Sequence, residues 1–379
     1  MDHLVLFRCT VTSPFIFDRP LSVDQAVGRT AELEQLLQLA LGGQSARLAA
    51  PRRFGKTTLL RALAHHASES HSLIPAFVDL SRVSSVEDVV LRIAGSYRQR
   101  LSPGVWRTIR SRLSAQLQAG LPGVGSATIA LAARSPDARG LGTLHEVLDL
   151  PLAVHERTGQ RCLVIFDEFQ DLLTLDQELD GVLRSHIQHH LEAASYLFAG
   201  SQPSLMAALF GDRHRPLFDQ ARAVPLGPLP LAPLGDFVAD TLERRDRDDL
   251  VEHVDALVAL SAGHPQRAML LAYELFEQPR DAEDPVGDAV AAAVVEAADG
   301  LEQTWRALTA AQRRVLGAVA DGHRRLLTGP ALARTGLGKS SQAAVRNALI
   351  AATHLDLDGT TVSFVDPLMP VWIIAGPRT

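Results

Sequence analysis

The chain has 379 residues, of which 46% are hydrophobic, 21% charged and 5% aromatic, and its formal net charge is −6. That length allows two or three hydrophobic cores, and the composition excludes a disordered chain. The acidic balance excludes a protein whose whole surface wraps nucleic acid, although a local basic face is compatible with it. No apolar run approaches the ~20 residues that a membrane span needs. The opening Met1-Asp2-His3 has no basic segment followed by an apolar one, so a cytoplasmic location is expected. Cys9 and Cys162 are far apart and belong to no CxxC or Cys/His cluster, which points to two reduced, inert thiols rather than a disulfide or zinc framework.

In chain order, Phe15 to Gly28 reads as a loop. It enters a helix at Thr30, an N-cap residue type followed by the apolar spacing of Leu33, Leu36 and Leu37. Short apolar runs at Arg47 to Ala50, Ala76 to Leu80, Leu163 to Phe166, Tyr196 to Ala199 and Ala223 to Leu226 alternate with helical patterns. This alternation predicts an α/β fold, a mostly parallel sheet sandwiched by helices. Leu101 to Asp149 holds several Gly and Pro and is read as a mixed insertion. The proline-rich stretch Pro225 to Pro233 is read as a hinge, closing a first domain over 1–230. Helical patterns broken at Gly263-His264-Pro265 follow, making a helical lid domain over 231–302. A third unit over 303–379 contains helices at Thr309 to Asp321, Gly329 to Thr335 and Ser340 to His354. A hairpin over Leu355 to Val365 turns at Asp358-Gly359. Helix, helix-turn-helix and hairpin is the order of a winged helix.

The chemistry sits where the first strand meets the second helix. Ala50-Pro51-Arg52-Arg53-Phe54-Gly55-Lys56-Thr57-Thr58 is a strand end, a loop carrying GKT and a helix start, the context of a phosphate-binding loop. Loop and helix N–H groups offer donors and positive potential to a β-phosphate, the Lys56 ammonium suits the β- and γ-phosphates, and the Thr57 hydroxyl suits magnesium. Lys56 and Lys339 are the only lysines among 37 basic residues; a compact ammonium suits this cradle better than a planar guanidinium. Ala50 stands where a glycine is usual, the mildest replacement because only a methyl is added. Arg52 and Arg53 either touch phosphate or face solvent.

A second strand, Cys162 to Phe166, ends in Asp167-Glu168. Asp167 is placed to hold magnesium through water and Glu168 to polarise the attacking water of an ATPase. Ser201, after the next strand, is a candidate γ-phosphate sensor, with a simple strand-ending turn as the bland alternative. Arg267, which follows Gly263-His264-Pro265, is a second sensor candidate. Arg213, Arg215 and Arg222 are candidates for a catalytic arginine acting on a neighbouring subunit. His186, His189 and His190 have helical spacing, but no carboxylate or Cys lies at ligand spacing, and they are read as a solvated helix face.

These residues resemble the archaeal-type ATPases of the STAND branch of AAA+-like P-loop proteins. The resemblance is carried by Val27-Gly28-Arg29, Pro51 to Leu60, Asp167-Glu168-Phe169-Gln170-Asp171, Ala199-Gly200-Ser201, Gly263-His264-Pro265, Phe364 to Leu368 and Trp372. It implies a five-stranded P-loop NTPase domain, a helical lid, a winged helix, ATP with Mg2+, and Val27 and Gly28 near the adenine. It also implies a nucleotide-dependent switch with slow or partner-stimulated turnover, acting with a protein partner or as a homo-oligomer.

From Gln303 onward nine basic side chains face four acids, opposite in sign to the whole chain. Lys339, Ser340, Ser341, Gln342 and Arg346 on the third helix are types that contact DNA grooves and phosphates, while the hairpin turn is acidic or neutral. A DNA-binding regulator or replication-initiator-like protein licensed by nucleotide is therefore the alternative, and a protein-interaction scaffold the third reading.

Overall fold

The structure is a computed structural model and describes residues 13–21, 27–113 and 136–376. Cys9, Arg378 and the middle of the Leu101 to Asp149 insertion lie outside them. The chain divides into two compact units, residues 22–227, and residues 228–379 together with 1–21. No helix among the described residues is long and apolar enough to cross a membrane.

In the first unit, five strands, β1 (Ala46–Ala49), β2 (Ile74–Asp79), β3 (Cys162–Asp167), β4 (Ala194–Gly200) and β5 (Arg222–Pro225), form one sheet in the order β2-β3-β4-β1-β5. Every pairing is parallel. β3 and β4 are buried at every position, as a parallel sheet covered on both faces requires. The flanking helices are α1 (Thr30–Leu41), α2 (Lys56–His71), α3 (Val86–Arg100), α4 (Pro103–Arg110), α5 (Pro136–Leu148), α6 (Leu150–Thr158), α7 (Leu179–Ile187) and α8 (Pro203–Gly211). Phe198 anchors the core, with ring centroids 4.8 Å from Phe169 and 5.1 Å from Phe210; each such burial is worth ~1.5–3 kcal/mol. The insertion is more helical at its two ends than its Gly and Pro suggested. Pro103 lies in the first turn of α4, where a missing N–H costs nothing, and the Ser102 hydroxyl accepts from Val105 N–H.

This strand order sets β3, β4 and β1 side by side, with Ala49 opposite Gly200 and Phe166 opposite Phe198. The residues that leave these strands, Ala50, Glu168 and Ser201, therefore emerge along one end of the sheet, where parallel α/β folds place their ligands.

The second unit contains α9 (Leu231–Glu243), a 3-10 turn (Asp248–His253), α10 (Val254–Ser261), α11 (Pro265–Phe276), α12 (Pro285–Ala307), α13 (Ala310–Ala320), α14 (Gly329–Thr335), α15 (Lys339–Ala351), a hairpin of β6 (Leu355–Asp358) and β7 (Thr361–Phe364), and α16 (Leu368–Ala375). The hinge is shorter than expected, because Pro233 falls in the first turn of α9, whose N–H groups need no intrahelical acceptor. One apolar cluster extends from Leu234 through Leu316 and Leu349 to Trp372, so the expected lid and C-terminal segments share a core. The break before α11 is tight: Gly263 has φ +72 and its carbonyl accepts from Leu229 N–H at 2.7 Å. The hairpin is antiparallel and sets Asp358 opposite Thr361.

Candidate active site

Lys56 opens α2 after Gly55, whose φ of 80° lies in the left-handed region. The first helical bond in this turn runs from Leu59 N–H to Gly55 carbonyl at 3.0 Å, so the preceding N–H groups of Lys56, Thr57 and Thr58 have no acceptor within the helix. Such donors at a helix start are an anion site. Arg53 also has a positive φ, 67°, whereas Ala50 does not; Ala50 therefore replaces glycine without backbone strain, and it is buried beside β4 through Ala50 N–H to Gly200 carbonyl. Pro51 and Thr58 are half-buried, Phe54 is buried, and Arg52 and Arg53 are exposed.

The Lys56 ammonium is buried and donates to the Ala50 and Pro51 carbonyls at 2.8 and 2.9 Å. Burial lowers its pKa, opposed by the negative charges of Glu168 and Asp167. The Thr57 hydroxyl donates to Asp167 Oδ2 at 3.0 Å. These two oxygens, one neutral and one carboxylate, are the hard donor set that magnesium takes alongside phosphate. Burial raises the Asp167 pKa, with the Thr57 hydrogen bond acting the other way.

Glu168 sits at φ 52° and ψ 43°, a left-handed conformation that costs a non-glycine residue ~1–3 kcal/mol and collects at functional sites. Its Oε2 accepts from the Ser201 hydroxyl and from Gln170 Nε2, both at 2.6 Å. Gln170 was not singled out in the sequence, yet it is 2% exposed and its Oε1 has no partner. Ser201, expected beside a γ-phosphate, donates its hydroxyl to Glu168 at this end of the sheet. Gly200 leaves room for its neighbours: a methyl there would stand 2.6 Å from Met206 Cγ and 2.7 Å from Gln170 Oε1, so these two buried side chains would have to shift.

Val27 and Gly28 form a turn before α1, with Gly28 at φ 68°. The neighbouring Arg29 is the missed element here. Buried to 5% exposure, it donates to the Phe54 carbonyl at 3.3 Å, the Gly227 carbonyl at 2.7 Å and Glu32 at 2.9 Å. It thereby ties the Val27-Gly28 turn to the phosphate loop and to the chain leaving β5.

Other candidates find different surroundings. The guanidinium of Arg267 is buried and engaged by Asp366, with Nε at 2.9 Å and Nη2 at 2.5 Å. Arg215 pairs with the buried Asp180 at 3.6 Å, while Arg213 and Arg222 are exposed. Gln342 does not face outward: it is fully buried and its amide bonds to Thr335 Oγ1 and the Leu326 carbonyl. Lys339, Ser340 and Ser341 are exposed, and Arg346 is half-buried with its guanidinium on Asn347 Oδ1 at 2.9 Å. The three histidines are not a solvated face, since His190 is 1% exposed and His186 is half-buried; only His189 points to solvent. Cys162 is buried and its thiol pKa is pushed up to about 12 by that burial, which makes it unreactive.

Neither a protein-family model nor a curated protein matches the chain. Solved structures do share its fold. The Walker-type ATPase of Pyrococcus abyssi superposes with a TM-score of 0.67 at 18% identity, over 93% of this chain and 97% of that one. The ORC2 protein of Aeropyrum pernix, solved in ADPNP–ADP complexes, gives 0.57 at 16% identity, over 96% and 93%. At these identities the likeness establishes the fold, that of a P-loop NTPase with a helical C-terminal region.

Proposed function

We propose that this chain is a magnesium-dependent ATPase of the AAA+-like STAND type, a cytoplasmic switch that couples nucleotide state to a winged helix over 303–379. The observation that carries the reading is the continuous set of contacts from Thr57 to Asp167 and from Glu168 to Ser201 beside the Lys56 loop. In this reading the Ala50–Thr58 loop holds the phosphates, Val27 and Gly28 lie against the adenine, and Thr57 and Asp167 hold magnesium, which would supply charge neutralisation on the phosphate oxygens. Glu168 orients and polarises the attacking water, and Ser201 and Gln170 aim its carboxylate. A γ-phosphate contact by Arg267 would require its guanidinium to exchange Asp366 for phosphate. The test is magnesium-dependent ATP binding and turnover by wild type, Lys56→Ala and Glu168→Gln. Lys56→Ala should not bind, and Glu168→Gln should bind and turn over at least 100-fold more slowly; normal hydrolysis by Glu168→Gln would overturn the assignment.

A second reading, a DNA-binding regulator or initiator-like protein in which nucleotide licenses assembly, is favoured by the exposure of Lys339, Ser340 and Ser341 at the start of α15 and of Arg324 and Arg325 before α14. Duplex DNA added to the same assay separates the two. Binding that weakens steeply with salt and is lost on Lys339→Ala with Arg346→Ala supports the second, and indifference to DNA leaves a protein partner or a second copy of the chain as the target.

A further inference from the structure

At the end of the sheet opposite the phosphate loop, four titratable side chains from distant parts of the first unit meet where β4 begins. Asp149 occupies the N-cap position of α6, His186 the last turn of α7, His190 the turn entering β4, and His145 the last turn of α5. Asp149 Oδ1 lies 2.6 Å from His186 Nδ1 and 3.3 Å from His190 Nε2. One ligand atom from each of these three residues lies within 4.8 Å of the others.

Two further observations give this convergence a direction. Asp149 holds a helix N-cap position, yet its carboxylate makes no cap hydrogen bond; it turns to the imidazoles instead. Both inner histidines have their outward nitrogens occupied, His190 Nδ1 by the Tyr196 hydroxyl at 2.6 Å and His186 Nε2 by His145 Nδ1 at 2.6 Å. Metal-ligating imidazoles are held in this way, with the inward nitrogen on the ion and the outward one fixed by a second partner that sets tautomer and ring orientation. Burial lowers the His190 pKa, so the neutral ring that ligation needs is the one present near pH 7.

We propose that Asp149 Oδ1, His186 Nδ1 and His190 Nε2 form a binding site for one divalent first-row transition-metal ion, zinc by preference, with water in a fourth position. Two imidazoles and one carboxylate are a borderline donor set that suits zinc and excludes the all-oxygen preference of magnesium or calcium. Ligand atoms around a tetrahedral zinc stand roughly 3.3 Å apart. The His190 contact already has that length, and the His186 contact needs to open by roughly 0.7 Å, a small rotation for a carboxylate on the exposed Asp149. Ligation through His186 Nδ1 places that ring's proton on Nε2, where His145 Nδ1 is the hydrogen-bond partner. The ion would clasp the α5–α6 junction, the end of α7 and the start of β4. Because β4 runs from this cluster at Ala194 to Gly200 beside Ala50, the ion is remote from the phosphate loop and separate from the magnesium of the proposed ATPase.

The experiment uses the full chain without a histidine tag, stripped with a chelator and titrated with Zn2+ against a chromophoric competitor. Wild type should bind one zinc per chain and unfold at a higher temperature when loaded. His186→Gln and Asp149→Asn, which leave the buried His190 in place, should weaken binding at least tenfold and lose the thermal shift, with circular dichroism confirming that they fold. Tyr196→Phe, which removes only the outward partner of His190, should weaken binding by about tenfold. No stoichiometric zinc in wild type, or the same zinc binding in His186→Gln and Asp149→Asn, as adventitious binding by other histidines would give, overturns the proposal.

Discussion

Glu168 is held from two sides, by Ser201 and by Gln170, while its backbone is strained. Its aim therefore depends on two side chains that touch no phosphate in the reading given above. Ser201→Ala and Gln170→Ala should each lower kcat about 10-fold with KM little changed, because displacement of a catalytic group by ~1 Å can cost up to 100-fold; steady-state kinetics of the two variants check this. Asp167 makes a different statement about stability. Its folded-state pKa is raised by burial, so the folded state favours the protonated form and ionisation of Asp167 costs stability as pH rises through that raised value. Asp167→Asn, which fixes a neutral isostere, should raise the Tm of the nucleotide-free protein at pH 7 while abolishing turnover. The gain should fade as pH falls below the ordinary carboxylate range, where wild type is protonated in both states. Thermal melts of both proteins at about pH 3 and pH 7 decide it. A site that destabilises its own fold is the usual cost of function.

Among elements, the join between α11 and the segment before α16 rests on Arg267 and Asp366, separated by 99 residues and bonded through two hydrogen bonds. Arg267 is 4% exposed. Removing only the acid leaves a buried guanidinium without its counter-charge, at a cost of about 3–5 kcal/mol, whereas replacing both partners by apolar residues of similar volume is often close to neutral. Asp366→Ala should therefore lower the denaturation midpoint strongly, and Arg267→Met with Asp366→Leu should recover most of the loss in urea unfolding. The elements themselves were largely legible in the sequence. Five apolar runs marked the strands, and Thr309, which caps α13 reciprocally with Gln312, is a local signal readable from residue types alone. Strand order was not legible, because an apolar run states that a strand is buried and not which strand lies beside it. The Asp149 cluster escaped for the same reason: its carboxylate lies 37 residues from His186, and helical spacing sees only neighbours along the chain. Gln342 could have been placed correctly, since it lies three and seven residues before Val345 and Leu349 on the inward face of α15; residue type outweighed position in reading it as a DNA contact.

At the scale of the whole molecule, the first unit carries two sites at opposite ends of one sheet. The candidate active site gathers at the carboxyl ends of β1, β3 and β4, and the imidazole–carboxylate cluster at the amino end of β4. The parallel arrangement separates them by the length of the strands, so each can be altered without touching the other. The second unit keeps its own core from Leu234 to Trp372 and presents its positive side chains on α15 and before α14. The chain's overall negative charge is thus unevenly placed, and salt sensitivity of any nucleic-acid binding belongs to that unit alone.

The near-absence of lysine also makes the chain unusually simple to label. Of its two side-chain amines, Lys56 is buried and held by two carbonyls, while Lys339 stands exposed at the first residue of α15. An amine-directed fluorophore used briefly should therefore mark Lys339 and spare Lys56. It would place one side-chain dye on the helix expected to meet a partner, with no cysteine engineering, the α-amine being the other reactive amine to account for. The same asymmetry means that a carbamylating or acylating agent silences the phosphate loop only after it has already recorded its dose on α15.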